Sequence, residues 1–265
     1  MADPGWREEI ARAIRVSPQS IAPSSPGEAK GSCWLEIGAG HGEMTEQLAS
    51  SGAPVYAVEL DSRLLSRLHR MAQRFPNLTV VPGDILEIDL AKFASHRKLR
   101  IYGNLPYYIT SPILQRLFAT TELIEEIHVV IQEEVALRLV AAPGTRDYGY
   151  LSVLTQYFAR PELVLKIPRS AFSPPPEVGS ALVTLRFPGE RAKLPAIDSA
   201  PFLDFVKLCF SHKRKTLVNN LKVRFKPEAV RGALTALELR SDARAEQLSV
   251  ANLVAMFNQI ETANT

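Results

Sequence analysis

Cys33-Trp34-Leu35 runs into Glu36-Ile37-Gly38-Ala39-Gly40-His41-Gly42, and Glu43-Met44-Thr45-Glu46-Gln47-Leu48 follows with a helical pattern. A strand, a glycine-rich turn and a helix in that order restrict the chain more than any other feature, because they open a parallel sheet with helices on its faces. Glycine has no Cβ, so the backbone of the turn can approach a ligand closely. A second apolar run, Val55-Tyr56-Ala57-Val58, ends at Glu59. That acid lies roughly 20 residues beyond the turn, where it can accept both ribose hydroxyls of an adenosine-containing cofactor. A third run, Leu78-Thr79-Val80-Val81, leads to Gly83-Asp84, whose carboxylate can accept an adenine amino group. Singly, these are also what a tight turn or a surface acid at a strand end looks like. In order, each at the carboxyl end of a strand, they mark the crevice where open α/β sheets bind ligands.

A fourth apolar stretch, Leu99-Arg100-Ile101-Tyr102-Gly103, ends in Asn104-Leu105-Pro106-Tyr107. Asn, Pro and an aromatic at a strand's end can hold a planar amino group. The Asn oxygen and a nearby carbonyl accept its two N–H bonds, and the ring stacks behind it. Alone, the same residues read as a Pro turn leaving a strand.

Together, the glycine turn, Glu59, Asp84 and Asn104-Leu105-Pro106-Tyr107 resemble the ribosomal RNA adenine N6-dimethyltransferases. Three further stretches sharpen the resemblance. Gln132-Glu133-Glu134-Val135 with Tyr148-Gly149-Tyr150-Leu151-Ser152-Val153 fits the middle region of that family, and Phe172-Ser173-Pro174-Pro175-Pro176-Glu177-Val178-Gly179-Ser180 fits its F-x-P-x-P-x-V-x-S loop. Ser211-His212-Lys213-Arg214-Lys215-Thr216-Leu217 with Asn219-Asn220-Leu221 fits the small-subunit (KsgA-type) branch. The resemblance implies a Rossmann-like α/β methyltransferase sheet with a small all-helical C-terminal domain. It implies S-adenosylmethionine as cofactor, held by Gly38, Gly40, Glu59, Leu60, Asp84, Ile85 and Asn104. It implies catalysis by Asn104, Leu105, Pro106 and Tyr107, with Phe172 clamping the base from its other face or serving only as a core anchor for the Pro loop. The implied substrate is a pair of adjacent adenosines near the 3′ end of small-subunit ribosomal RNA, in an immature small subunit, acted on by a monomer. Members carry an F-G-Q-[HN]-F-L segment before the first helix. This chain shows none, so a weaker grip on the methionine end of the cofactor is expected.

The chain has 265 residues, 46% hydrophobic and 22% charged, which suits a globular protein with a sizeable core. No apolar run approaches the ~20 residues of a membrane span. No signal-peptide core is present; Trp6, Ile10 and Ile14 instead repeat at helical spacing after Asp3-Pro4. Cys33 and Cys209 lie among apolar neighbours and read as buried thiols of a cytoplasmic protein. The five histidines lack metal spacing, and His41 reads as lining of the turn. Net charge is +3, unevenly placed: from Glu190 onward there are 12 Lys and Arg against 8 Asp and Glu. Between Lys207 and Lys226 lie seven basic residues and no acid. A charge run is usually a solvated face, but one with no interleaved acid suits RNA phosphates, with Lys213, Arg214, Lys215, Lys222 and Arg224 as candidate contacts.

Helix is expected over 4–15 and a Pro/Ser/Gly-rich loop from Ile21 to Ser32. Strands are expected at 33–38, 54–59, 78–82, 99–103, 127–132, 161–167 and 181–187. Between them the clearest helices are 61–74, 110–119, 132–141 and 149–159. Pro188-Gly189 marks a boundary, giving a catalytic domain over 1–188 and an RNA-binding helical domain over 189–265 with helices at 201–211, 213–222, 227–238 and 243–261. Three other readings stand beside the main one. A large-subunit RNA methyltransferase of the antibiotic-resistance type would share the catalytic domain. A non-catalytic assembly factor of the small subunit would bind RNA and hold cofactor poorly. An NAD-dependent dehydrogenase would explain the turn and Glu59 but not Asn104-Leu105-Pro106-Tyr107.

Overall fold

The computed structural model describes residues 3–16, 32–94, 97–106 and 109–264. Seven strands form one sheet: β1 Cys33–Ile37, β2 Val55–Glu59, β3 Leu78–Pro82, β4 Leu99–Asn104, β5 Ile124–Gln132, β6 Arg160–Ile167 and β7 Ser180–Arg186. Their order is β3-β2-β1-β4-β5-β7-β6. β1 to β5 pair in parallel, and β7 enters antiparallel to β5. Every expected strand is present, with ends within three residues of expectation.

β1 lies between β2 and β4, and all five of its residues are buried. A strand covered on both faces reads as a continuous apolar run rather than an alternation. Glu36 is the exception, an acid only 2% exposed in the middle of that run.

The helices are α1 Pro4–Ala13, α2 Glu43–Ala49, α3 Ser62–Arg74, the single turn α4 Ala91–Ala94, α5 Thr110–Phe118, α6 Glu133–Val140, α7 Tyr150–Phe158, α8 Ser199–Cys209, α9 Leu217–Leu221, α10 Pro227–Ala236 and α11 Val250–Asn264. α1 starts as the sequence implies: the Asp3 carboxylate accepts from the Gly5 and Trp6 amides, and Pro4 fills the first turn. Such a cap contributes about 1 kcal/mol. Ile10 and Ile14 then pack into the core with Trp34, Leu48 and Ala57. Both cysteines are buried and free. Among the described residues, no helix is long and apolar enough to cross a membrane.

Two helices are shorter than expected. The 213–222 helix is only Leu217–Leu221, because the Thr216 hydroxyl accepts the Asn219 amide and starts the helix there. Before it, the Lys215 amide closes a turn onto the His212 carbonyl at 2.9 Å. The 243–261 helix is split: a 3-10 turn covers Ala245–Gln247, and α11 begins where the Ser249 hydroxyl accepts the Asn252 amide at 3.1 Å. Of the expected loop Ile21–Ser32, all but Ser32 lies outside the described residues.

The chain packs as two compact units, Met1–Ala136 with Glu162–Phe187, and Leu137–Pro161 with Pro188–Thr265. The boundary expected at residue 188 is therefore one of several crossings, and Leu137–Pro161 packs with the C-terminal helices. Aromatic packing is the cause. Tyr157 of α7 lies 4.9 Å from Phe202 of α8, and Phe202 lies 5.8 Å from Phe257 of α11. The chain then hugs α7 so tightly at Gly189 that a Cβ there would fall 2.3 Å from the Ala159 nitrogen.

Candidate active site

The winding of the sheet reverses between β1 and β4, with β2 and β3 on one side and β5 on the other. Such a reversal leaves a crevice at the carboxyl ends of the strands. Gly38, just past β1, and Asn104, the last residue of β4, line a cavity of about 200 Å³ there with Glu36, Gly40, Tyr102 and Ser173. Gly38 has φ +68°, and no atom lies within 4 Å of where its Cβ would be. The turn thus presents bare backbone to open space, a cradle that any side chain would strain and fill.

Asn104 is exposed but its flanks are locked. Leu105 is 2% exposed, and its amide donates to the Val130 carbonyl at 3.0 Å. Leu105 folds over Gly103 so closely that a Cβ on Gly103 would lie 2.7 Å from Leu105 Cδ2 and 3.2 Å from Ile37 Cβ. The Pro106 carbonyl accepts from the Thr110 hydroxyl at 3.2 Å, which ties the turn to α5. Tyr107 lies outside the described residues. Phe172 is half-buried and packs against the core, and the next residue, Ser173, lines the cavity.

The two acids occupy the expected strand ends. Glu59 Oε2 accepts the Gly40 amide at 2.7 Å, and Oε1 accepts the Asp61 amide at 2.8 Å. The carboxylate is thereby fixed against the glycine turn, and each oxygen keeps a second lone pair for a ligand. Leu60 is 70% exposed, an apolar face beside the acid, whereas Ile85 is 5% exposed. The loop after β3 is drawn alongside by the Gly83 amide, which donates to the Glu59 carbonyl at 3.0 Å. There Asp84 accepts the Leu86 amide at 2.9 Å. Gly38, Gly40 and Asn104 therefore share one cavity, Glu59 is bonded to its turn, and Asp84 and Ile85 follow at the next strand end.

Two buried polar residues of this cavity, Glu36 and Tyr102, are not among the residues the sequence motifs single out. Glu36 is buried and accepts the Thr45 hydroxyl at 2.5 Å. Burial pushes its carboxyl up, the Thr45 bond opposes this, and the charges of Glu43 and Glu59 add to the rise, to about 8. Tyr102 is 1% exposed, its hydroxyl has no hydrogen-bond partner among the described residues, and burial raises its pKa. The signal was present: an acid inside an apolar strand must be paired or neutral.

The five candidate RNA residues, Lys213, Arg214, Lys215, Lys222 and Arg224, are all exposed. Lys213 Nζ donates to the Arg146 carbonyl. Lys213 and Arg214 line a second cavity, of about 350 Å³, with Arg146, Arg244 and Glu246. Four cations against one acid make it strongly positive. Arg146 and Arg244 come from loops distant in sequence, so no local pattern points to them. The Arg224 guanidinium lies 5.4 Å from the Phe225 ring centre. Among the described residues, no cluster of His, Cys, Asp or Glu has the makings of a metal site.

This arrangement has known relatives. The family model described as ribosomal RNA adenine dimethylase matches residues 8–262. A protein of Acidobacterium capsulatum named ribosomal RNA small subunit methyltransferase A is 42% identical over 86% of this chain and 81% of its own. One of the same name from Pseudomonas syringae is 37% identical over 97% of this chain and 90% of its own. Among solved structures, a dimethyladenosine transferase from Plasmodium falciparum shares the fold, with a TM-score of 0.80 at 24% identity over 100% of this chain and 98% of its own. The 23S rRNA methyltransferase ErmE aligns with a TM-score of 0.67 at 26% identity over 98% and 99% of the two chains. With a matched sheet, a matched family model and relatives that match nearly end to end, the chain belongs to the ribosomal RNA adenine dimethylase family.

Proposed function

We propose that the protein transfers methyl groups from S-adenosylmethionine to N6 of two adjacent adenosines near the 3′ end of small-subunit ribosomal RNA. It acts as a cytoplasmic monomer on the immature small subunit. The observation that carries this reading is Asn104, exposed at the end of β4 and facing Gly38 across the switch-point cavity. The cavity fits the cofactor: an open cradle at Gly38, a fixed carboxylate at Glu59 and a buried Tyr102 hydroxyl with no partner among the described residues. Relatives named small subunit methyltransferase A, at 35–42% identity, direct the reading to the small subunit.

When bound, the cofactor supplies a methyl group already activated on a sulfonium. The protein's task is alignment. Glu59 and Asp84 hold the ribose and adenine at adjacent strand ends, with Leu60 against the base. The Asn104 oxygen accepts one N6–H of the target adenine. The Leu105 carbonyl accepts the other, since the Pro106 carbonyl is already engaged by Thr110. Both bonds favour a pyramidal nitrogen whose lone pair points at the cradle. Tyr107 and Phe172 stack on the two faces of the extruded base, each worth about 1–3 kcal/mol, against a few kcal/mol to extrude it. The positive cavity of Arg146, Lys213, Arg214 and Arg244 holds RNA phosphate, with Lys215, Lys222 and Arg224 alongside. In this reading the Met1–Ala136 and Glu162–Phe187 unit is catalytic, and the helical unit binds RNA.

The test is to incubate the protein with labelled cofactor and undermethylated small subunits, then map the label. Label on two adjacent adenosines near the 3′ end is expected. Label in large-subunit RNA would favour the ErmE-like activity, and binding without label would leave an assembly factor.

A further inference from the structure

α3 carries four arginines, Arg63, Arg67, Arg70 and Arg74, and from Ser62 to Arg74 it holds no acid and no lysine. Spacings of four, three and four residues set the arginines within about 60° of one another around the helix, in a row ~16 Å long. All four are exposed. This part of the chain has no cationic surplus: residues 1–189 hold 19 Lys and Arg against 20 Asp and Glu. A charge run is usually a solvated face, yet here the counter-charges reach only the ends of the row. Arg63 grips Asp61 through Nε at 2.9 Å and Nη2 at 2.6 Å, and Arg74 Nη2 lies 3.2 Å from Glu46. Among the described residues, Arg67 and Arg70 in the middle have no acidic partner.

The other side of α3 is already used. Leu68 and Met71 are buried, and Met71 sits so close to the glycine turn that a Cβ on Gly42 would fall 2.7 Å from its Cε. Leu64 and Leu65 are half-buried. A basic helix that lies on a membrane needs a free apolar face to insert, whereas α3 buries its own against β3 and the turn. What it leaves free are planar guanidinium forks, which match phosphate oxygens with two parallel N–H bonds. The Asp61 carboxylate seated on Arg63 shows an oxyanion held in that manner.

Resting on the reading of the protein as a ribosomal RNA methyltransferase, we propose that α3 is a second hold on the RNA backbone, in which Arg67 and Arg70 each bind a phosphate. Residues three apart on a helix have Cβ atoms ~5–6 Å apart, close enough for successive phosphates of one strand. Asp61 and Glu46 neutralise the two ends, which confines the hold to the middle pair. α3 starts three residues past Glu59, so the row sets out from the carboxyl end of β2. The cavity of Arg146, Lys213, Arg214 and Arg244 belongs to the other compact unit. Each unit thus grips the RNA for itself, and the strand on α3 is held by the same unit that carries the cofactor site.

Filter binding of the full chain to undermethylated small subunits, over a salt series, tests this. Arg67→Gln with Arg70→Gln should weaken binding about tenfold and flatten the slope of log K against log salt by ~1.4–1.8 units, at roughly 0.7–0.9 per phosphate contact. Arg67→Lys with Arg70→Lys should restore the slope, which charge sets, but only part of the affinity, because lysine lacks the fork. Calorimetry should give both variants the wild-type affinity for S-adenosylmethionine. Cys33 and Cys209 are buried, so a cleavage reagent tethered at Arg70→Cys occupies one site, and it should cut the RNA over one short stretch. A wild-type slope in the Gln pair, or no cutting from Arg70→Cys while the subunit stays bound, overturns the inference and leaves the methyltransferase reading intact. Weakening with intact subunits but none with protein-free rRNA assigns the row to an acidic ribosomal protein and overturns it too. Failure of the wild type to bind small subunits at all removes that reading and the inference with it.

Discussion

Arg100 and Glu126 stand opposite each other on the neighbouring parallel strands β4 and β5, joined by a 2.6 Å contact between Nη2 and Oε1. The same guanidinium lies 4.2 Å from the Trp34 ring centre and donates to the Ile14 carbonyl at 2.6 Å. One side chain thereby ties the C-terminal end of α1 to two strands. His128 Nε2 is 3.2 Å from the same Glu126 oxygen but outside hydrogen-bond geometry. Burial opposes ionisation of Glu126, and the His128 and Arg100 contacts outweigh it, holding the carboxyl well below its usual range.

Arg100→Leu should therefore cost about 3 kcal/mol, because it leaves a largely buried carboxylate with only His128 and the more distant Arg186 Nε, at 3.7 Å. Arg100→Leu with Glu126→Leu should recover much of the loss. Urea unfolding of the single and double variants measures this, and additive losses would mean that the pair is not coupled. Glu126 is depressed in the folded state, so its contribution is full above the unfolded carboxylate range and fades in acid. The gap between wild type and Arg100→Leu should narrow below pH 4.

Glu36 has the opposite sign. Its folded value, about 8, lies above the unfolded one, so its contribution is full in acid and is lost as pH rises through 8. Thermal unfolding of the unliganded protein should show Glu36→Gln gaining on wild type from pH 5 to pH 9. The gain is on the order of several kcal/mol at most. A constant difference across that range would place the carboxyl in a wetter site than its burial implies.

Asn104→Ala should reduce methyl transfer by about 10²–10³, the usual loss for one preorganised contact. Cofactor and RNA affinity should stay within a few fold, since the flanks of Asn104 are held by Leu105 and Val130. Single-turnover rates with saturating subunits separate the two effects. Near-normal transfer would remove Asn104 from the acceptor site.

Replacing Lys213, Arg214 and Arg244 with Gln should weaken subunit binding for any RNA sequence. The slope of log K against log salt should flatten by ~2–3 units, at roughly 0.7–0.9 per phosphate contact. Filter binding across a salt series reads this directly, and an unchanged slope would mark the cavity as a solvated surface.

The sheet and much of the site were legible in the sequence because they are local. β1, β2 and β3 are short apolar runs that lead to Gly38, Glu59 and Gly83-Asp84, and the parallel core makes such runs continuous. Hidden features were of two kinds. Where a hydroxyl side chain competes for backbone amides, as at Thr216 and Ser249, apolar periodicity overran the true helix start. Where residues distant in sequence meet, as Arg146 with Lys213 and Arg244, or Tyr157 with Phe202, no window of sequence contains the partners. Glu36 is hidden differently: it sits beside a glycine turn that already accounts for the motif, and only its burial marks it out.

β7 sits between β5 and β6 in the sheet yet is the last of the three to be made. A nascent chain that has reached Ile167 thus carries β6 with no neighbour and β5 with one bare edge. Open strand edges are templates for pairing with other chains, and the chain is synthesised at only ~5–20 residues per second. The segment Pro168–Gly179, which brings Ser173 to the cavity, is therefore also the link that must be complete before β7 can cover both edges. A premature stop within it would yield a sticky fragment rather than an inert one.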